Sequence, residues 1–180
     1  MGLAWGAQAL WRYSGTPGRS GQAPEHWPAS LPVHLKPGRS TLVMLAHPHC
    51  PCTRSSLAEL ARLTARGDAD VWVLFLRPEG AKEGWEKTGL WDTAAAIPGV
   101  QVLADEDGTA AKAFGAETSG HVLFYDATGT LRFSGGITPA RGHEGPSAGG
   151  DSILAALLGN APIQNHTPTF GCPLIEETQR

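Results

Sequence analysis

Apolar residues fall along this chain in a few separated blocks. Leu42–Ala46 is a continuous apolar run, strand-length and without alternation, which is the pattern of a strand covered on both faces. Leu57, Leu60 and Leu63 then recur three residues apart, a spacing that lines one side of a helix over 53–66 and ends it at Gly67 as the C′ residue. Asp70–Leu76 predicts a second, parallel strand, broken by Arg77-Pro78-Glu79-Gly80. Trp85–Ala96 predicts a helix closed by Pro98, Val100–Ala104 a short strand, and Thr109–Phe114 a brief helix after the turn at Asp105–Gly108. His121–Tyr125 and Thr130–Ser134 flank Asp126-Ala127-Thr128-Gly129 and predict a hairpin. A polar, Gly-rich loop spans 135–150, and Asp151–Leu158 predicts a last helix capped by Asp151. Strands alternating with helices and then a hairpin give an α/β chain with a mixed sheet. Trp72 and Trp91, set among apolar neighbours, are expected in the core.

The ends read differently. Pro17, Pro24, Pro28, Pro32 and Pro37 leave little room for regular elements before residue 40. Residues 1–30 therefore read as an apolar segment and linker, 31–158 as the domain, and 159–180 as a tail carrying Cys172. Met1–Trp11 is apolar without a basic start, and is too short to span a bilayer or to form a whole signal peptide. It reads either as an ordinary apolar segment or as the stub of a longer membrane anchor, which would put the domain outside the cytoplasm.

Length and charge narrow the classes. A chain of 180 residues and 18.9 kDa is enough for one domain with its own core. A formal charge of −3 without a Lys/Arg cluster sets aside nucleic acid and anionic membrane surfaces as partners.

Chemistry concentrates at the first strand-to-helix junction, His47-Pro48-His49-Cys50-Pro51-Cys52. Unpaired backbone N–H groups and the positive end of the helix dipole at such a junction favour thiolate over thiol. His47, His49 and Arg54 add groups that lower a thiol pKa when charged. A disulfide between Cys50 and Cys52 would close a small ring around Pro51, and strained disulfides are the more oxidising ones. Three cysteines allow at most one intrachain disulfide. Thiol–disulfide exchange, which needs no cofactor, is one reading. The other is a soft-metal or cluster site, for copper or zinc, drawn from Cys50, Cys52, Cys172, His47, His49, His121 and His143. Cys172 takes part in either only if the tail folds back over the turn. A purely structural role for the cysteines is the third.

The element order together with Ala46-His47-Pro48-His49-Cys50-Pro51-Cys52 resembles the thioredoxin-like superfamily, whose members carry an Ala-Pro-Trp-Cys-Gly-Pro-Cys-type sequence after the first core strand. The resemblance covers roughly residues 31–158 and implies a three-layer α/β/α fold with a mixed central sheet. The FYDATGTLRFSGG hairpin is more similar to membrane-anchored periplasmic redoxins. Cys-Pro-Cys, the 136–143 loop and the terminal Phe-Gly-Cys together are similar to RedB-type thioredoxin-like proteins. What this resemblance implies is a periplasmic, membrane-tethered oxidoreductase acting on protein or small thiol and disulfide substrates, with Cys50 attacking and Cys52 or Cys172 resolving. It also implies that Thr118-Ser119-Gly120 face the substrate where thioredoxins have a cis-proline. Sco-type copper chaperones share the fold and the cysteine-bearing turn, although their CxxxC spacing differs. The Pro and Thr that precede a peroxiredoxin's cysteine are missing here, which ranks peroxide reduction low.

Overall fold

The computed structural model describes residue 8, residues 12–31 and residues 33–174. The apolar stretch at 1–11 thus lies almost wholly outside the described residues, and no helix among those described is long and apolar enough to cross a membrane.

The elements follow as β1 (Thr41–Ala46), α1 (Cys52–Thr64), β2 (Asp70–Arg77), α2 (Gly89–Ala95), β3 (Val100–Glu106), α3 (Thr109–Ala113), β4 (His121–Tyr125), β5 (Leu131–Gly135) and α4 (Ala148–Leu157). They build one five-stranded sheet in the order β3-β2-β1-β4-β5. β1 is parallel to β2 and antiparallel to β4, so the sheet is mixed. All six residues of β1 are buried, which is why its sequence is apolar from Leu42 to Ala46 instead of alternating.

Alternate β1 residues feed two cores. Leu42, Met44 and Ala46 pack under α1, α2 and α4, through Leu57, Leu60, Ala94 and Ile153. Val43 and Leu45 face the other way, toward Ala110, Ala111 and Phe114 of the short α3. Because α3 is brief, extended chain completes that second layer. Trp27 sits edge-on to both Phe114 and Tyr125 at centroid distances of 5.2 Å, the Tyr125 hydroxyl donates to the Pro24 carbonyl at 3.0 Å, and Leu174 from the tail is buried in the same cluster. This is the three-layer α/β/α arrangement of the thioredoxin-like fold.

Three local expectations are corrected. The helix placed at 85–96 begins at Gly89, because the Thr88 hydroxyl accepts the Leu90 N–H and caps it there; Trp85 stays in the preceding turns. The last helix is capped by Ser147, whose hydroxyl accepts the Gly150 N–H at 3.0 Å, so Asp151 falls inside its first turn. α1 ends at Thr64 with a right-handed Ala65 after it, and Gly67 is instead the place where Leu157 comes close: a Cβ there would lie 2.4 Å from that of Leu157. The tail is seated on the sheet, since residues 165–167 run beside β5, with the Ser134 N–H donating to the Asn165 carbonyl at 3.0 Å.

Candidate active site

The turn from β1 into α1 is held in shape from both sides. Its own backbone closes through Cys50 N–H to the His47 carbonyl at 3.1 Å and Thr53 N–H to the Cys50 carbonyl at 3.1 Å. Pro51 is already helical, with φ −62° and ψ −27°, and has no N–H to leave unpaired at the helix start. From the β4 side, the Ser119 hydroxyl accepts the His47 N–H at 2.8 Å and lies 2.9 Å from the Thr53 hydroxyl, which itself donates to the His47 carbonyl at 3.2 Å. These bonds make a closed ring. On the α2 side, the Thr88 hydroxyl donates to the Pro48 carbonyl at 3.0 Å.

All three cysteines are reduced, and all three meet here. The tail returns across the end of β4, and the Cys172 N–H points at the Cys50 sulfur at 3.3 Å. Cys50 is 1% exposed and Cys52 7%, while Cys172 is half-buried. Burial pushes the Cys50 thiol up, but hydrogen bonds from the Cys172 thiol and from the N–H groups of Cys172, Cys52 and Thr53 outweigh it and leave its pKa below the ordinary value. Two of those N–H groups are the first of α1, which is the helix-terminus effect expected from the sequence. Cys52 and Cys172 move the other way. Burial first, and then the neighbouring Cys50, raise Cys52 and push Cys172 up to about 12. Of the three sulfurs, Cys50 is therefore the first to give up its proton, and Cys52 and Cys172 hold theirs to higher pH.

The remaining predicted site residues divide by position. His47 and His49 stand together at the rim, and Trp85 packs edge-on against both, at 5.6 and 4.6 Å between centroids. Arg54 is exposed on the first turn of α1. The guanidinium that acts on Cys52 and Cys172 belongs to Arg141, with the Gly142 N–H turned toward the Cys52 sulfur. Arg141 also donates to the carbonyls of Gly171 and Thr16, which ties both ends of the chain to the site. His143 is exposed, with its Nδ1 2.8 Å from the Arg141 carbonyl. His121 is buried behind the turn, with Nε2 2.8 Å from the Ser134 hydroxyl and Nδ1 without a partner; burial, and then His166, lower its pKa to about 4. Thr118 and Ser119 are buried, and Gly120 holds φ +86° where a Cβ would lie 2.7 Å from the Ser56 hydroxyl. Among the described residues, no group of three or more His, Cys, Asp or Glu is arranged to hold a metal ion.

Sequence reasoning missed Trp85 and Arg141. The hydrophobic pattern makes Trp85 the first residue of a helix, and it gives Arg141 no role.

No family model matches the sequence, and no curated protein matches it. Solved structures do. The chain is similar to an uncharacterized conserved protein from Geobacillus kaustophilus, at 23% identity and TM-score 0.60, over 81% of this chain and 82% of that one. It is also similar to a hypothetical protein from Sinorhizobium meliloti 1021, at 22% identity and TM-score 0.57, over 79% and 82% of the two chains. A secreted Mycobacterium tuberculosis disulfide oxidoreductase matches at 18% identity and TM-score 0.46, over 67% of this chain and 84% of that one. With its central β1, the order β3-β2-β1-β4-β5 and its sulfurs at the turn from β1 into α1, the chain has the thioredoxin-like fold.

Proposed function

We propose that the chain is a thiol–disulfide oxidoreductase in which Cys50 attacks and Cys172 resolves. The observation that carries this reading is the Cys172 N–H held 3.3 Å from the Cys50 sulfur, which seats a second cysteine beside the most acidic thiol of the site. The Cys50 thiolate attacks a client disulfide; its S–S bond breaks, a Cys50–client disulfide forms, and the client's other sulfur leaves as thiolate. Cys172 then loses its proton and attacks the Cys50 sulfur. The client's remaining sulfur leaves, the client has gained two electrons, and the protein holds a Cys50–Cys172 disulfide. Cys52, whose thiol contacts Cys50, helps hold the negative charge. The reverse sequence oxidises a dithiol by the same bonds.

Peptide mapping after treatment with a small disulfide tests the assignment. The expected product is Cys50–Cys172, and a predominant Cys50–Cys52 bond would overturn Cys172 as the resolving residue. In Cys172→Ser the mixed disulfide should accumulate on Cys50; if no adduct forms there, exchange itself is wrong. This chemistry requires no cofactor. The copper or zinc alternative gains no support from the side-chain arrangement, and stoichiometric metal in protein purified under reducing conditions without chelator would restore it. Protein or small thiol and disulfide partners fit the exchange reading. The likeness of the 124–136 hairpin sequence to periplasmic redoxins supports a place outside the cytoplasm, and fractionation of the native protein tests that placement.

A further inference from the structure

The Cys50 sulfur is almost fully covered, and part of the cover is the chain's own tail. That segment is seated as an extended strand on the residues just before β4. The Ser119 N–H donates to the Cys172 carbonyl at 2.8 Å, the Leu174 N–H donates to the Glu117 carbonyl at 2.8 Å, and Thr118 and Pro173 face each other as an antiparallel bridge. The pairing uses backbone groups, so it asks for an extended segment and not for most of its side chains. Three positions are nonetheless constrained. Residue 172 brings its N–H and its thiol to the Cys50 sulfur. Leu174, 2% exposed, fills the second core. At residue 171 a Cβ would lie 2.0 Å from the Ser119 carbonyl oxygen, which leaves room for glycine alone. The middle residue donates no hydrogen bond, so even proline serves.

We infer that residues 117–119 form a docking edge for extended client segments of the pattern Gly-Cys-x-aliphatic, and that Gly171–Leu174 is its resident occupant, which a protein client must displace to reach Cys50. The inference rests on the exchange reading and adds to it a substrate class and a competitor built into the chain. A client seated in the tail's register presents its cysteine sulfur at Cys50, hydrogen-bonds Glu117 and Ser119, and buries its aliphatic residue where Leu174 lies. When the client segment lifts off the edge, still bonded to Cys50 through sulfur, the tail returns and brings Cys172 beside Cys50 to release it. Docking and resolution therefore alternate on one edge.

The test uses the full chain with Cys52→Ser and Cys172→Ser, so that Cys50 alone reacts, alone and combined with Gly171→Ala or Leu174→Ala. Gly171→Ala pushes the tail off the edge by a backbone clash, whereas Leu174→Ala removes its anchor, and a near-ultraviolet dichroism spectrum checks that each is folded. The probe is a short Ser-Gly-Cys-Thr-Leu-Ser peptide whose cysteine carries nitrothiobenzoate. Cys50 attack forms the Cys50–peptide disulfide and releases the coloured nitrothiobenzoate thiolate. Loosening the tail should raise the rate with this peptide about tenfold or more, in proportion to the open fraction. Replacing the peptide's Leu by Asp, or methylating the Leu nitrogen, should abolish most of that gain. Unchanged rates in folded variants of both kinds, or equal rates with the Leu, Asp and N-methylated peptides, would overturn the docking edge. If Cys50 releases no nitrothiobenzoate even from a small aryl disulfide in any variant, the exchange reading fails instead.

Discussion

His121 allows a quantitative check on how the base of the site is built. Its ring is buried beside the Ser134 hydroxyl, and burial, aided by the nearby His166, lowers its pKa from 6.5 to about 4. The folded protein therefore takes up this proton less readily than the unfolded chain. Stability is full above the unfolded value of 6.5 and is lost as the pH falls toward the folded value of about 4. That interval corresponds to about 3 kcal/mol, a large part of a domain's stability. Asp70 and Asp126, whose pKa values are lowered, lose their contributions below the ordinary 3.8, outside this window. Asp105, raised by burial, acts with the opposite sign. Urea unfolding followed by tryptophan fluorescence at steps between about pH 7.5 and about pH 4 measures the effect. The wild-type chain should lose about 3 kcal/mol across the window, and His121→Gln, which keeps a polar partner for Ser134 and does not titrate, should lose much less. If both chains fall in parallel, His121 is not the group responsible and the burial argument is refuted.

Other substitutions probe the site and its supports. Cys172→Ser removes the thiol that donates to Cys50, so the pH midpoint for alkylation of Cys50, followed by mass spectrometry, should move upward; a midpoint that stays put or falls refutes the role of that thiol. Ser119→Ala leaves the His47 N–H without its hydroxyl partner and should cost about 1–3 kcal/mol in urea unfolding, a cost absent if water replaces the hydroxyl. Trp27→Ala should cost about 3 kcal/mol, because Trp27 spans Phe114 and Tyr125; a change near zero would mean that the segment before residue 31 is not part of the stability unit.

The sequence carried β1, the Cys-Pro-Cys turn, α1 and the β4–β5 hairpin because each depends on local signals: an unbroken apolar run, a leucine spacing, a Gly-containing connection. The start of α2 was misread for the same reason, since Trp85 and Trp91 satisfy a helical period while the Thr88 hydroxyl decides where the helix begins. Cys50 and its helix N-terminus were legible, but its acidification comes first from the thiol and N–H of Cys172 and only then from the N–H groups of Cys52 and Thr53. The approach of Cys172 was not, because it depends on a glycine packed against the Ser119 carbonyl and on Leu174 entering a core more than a hundred residues distant in part from it along the chain. Arg141 was illegible for a related reason: it acts on sulfurs brought to it by two other segments.

The crossing of the tail over the site also bears on how the protein is made. Cys50 and Cys52 emerge early in synthesis, but the Ser119–Cys172 and Gly18–Thr169 backbone pairs form only after residues near the end of the described chain are available. A nascent chain thus carries its first two thiols without the donors that the tail supplies to Cys50. The reactive centre is completed late, so its acidity belongs to the turn and the returning tail together and not to the turn alone.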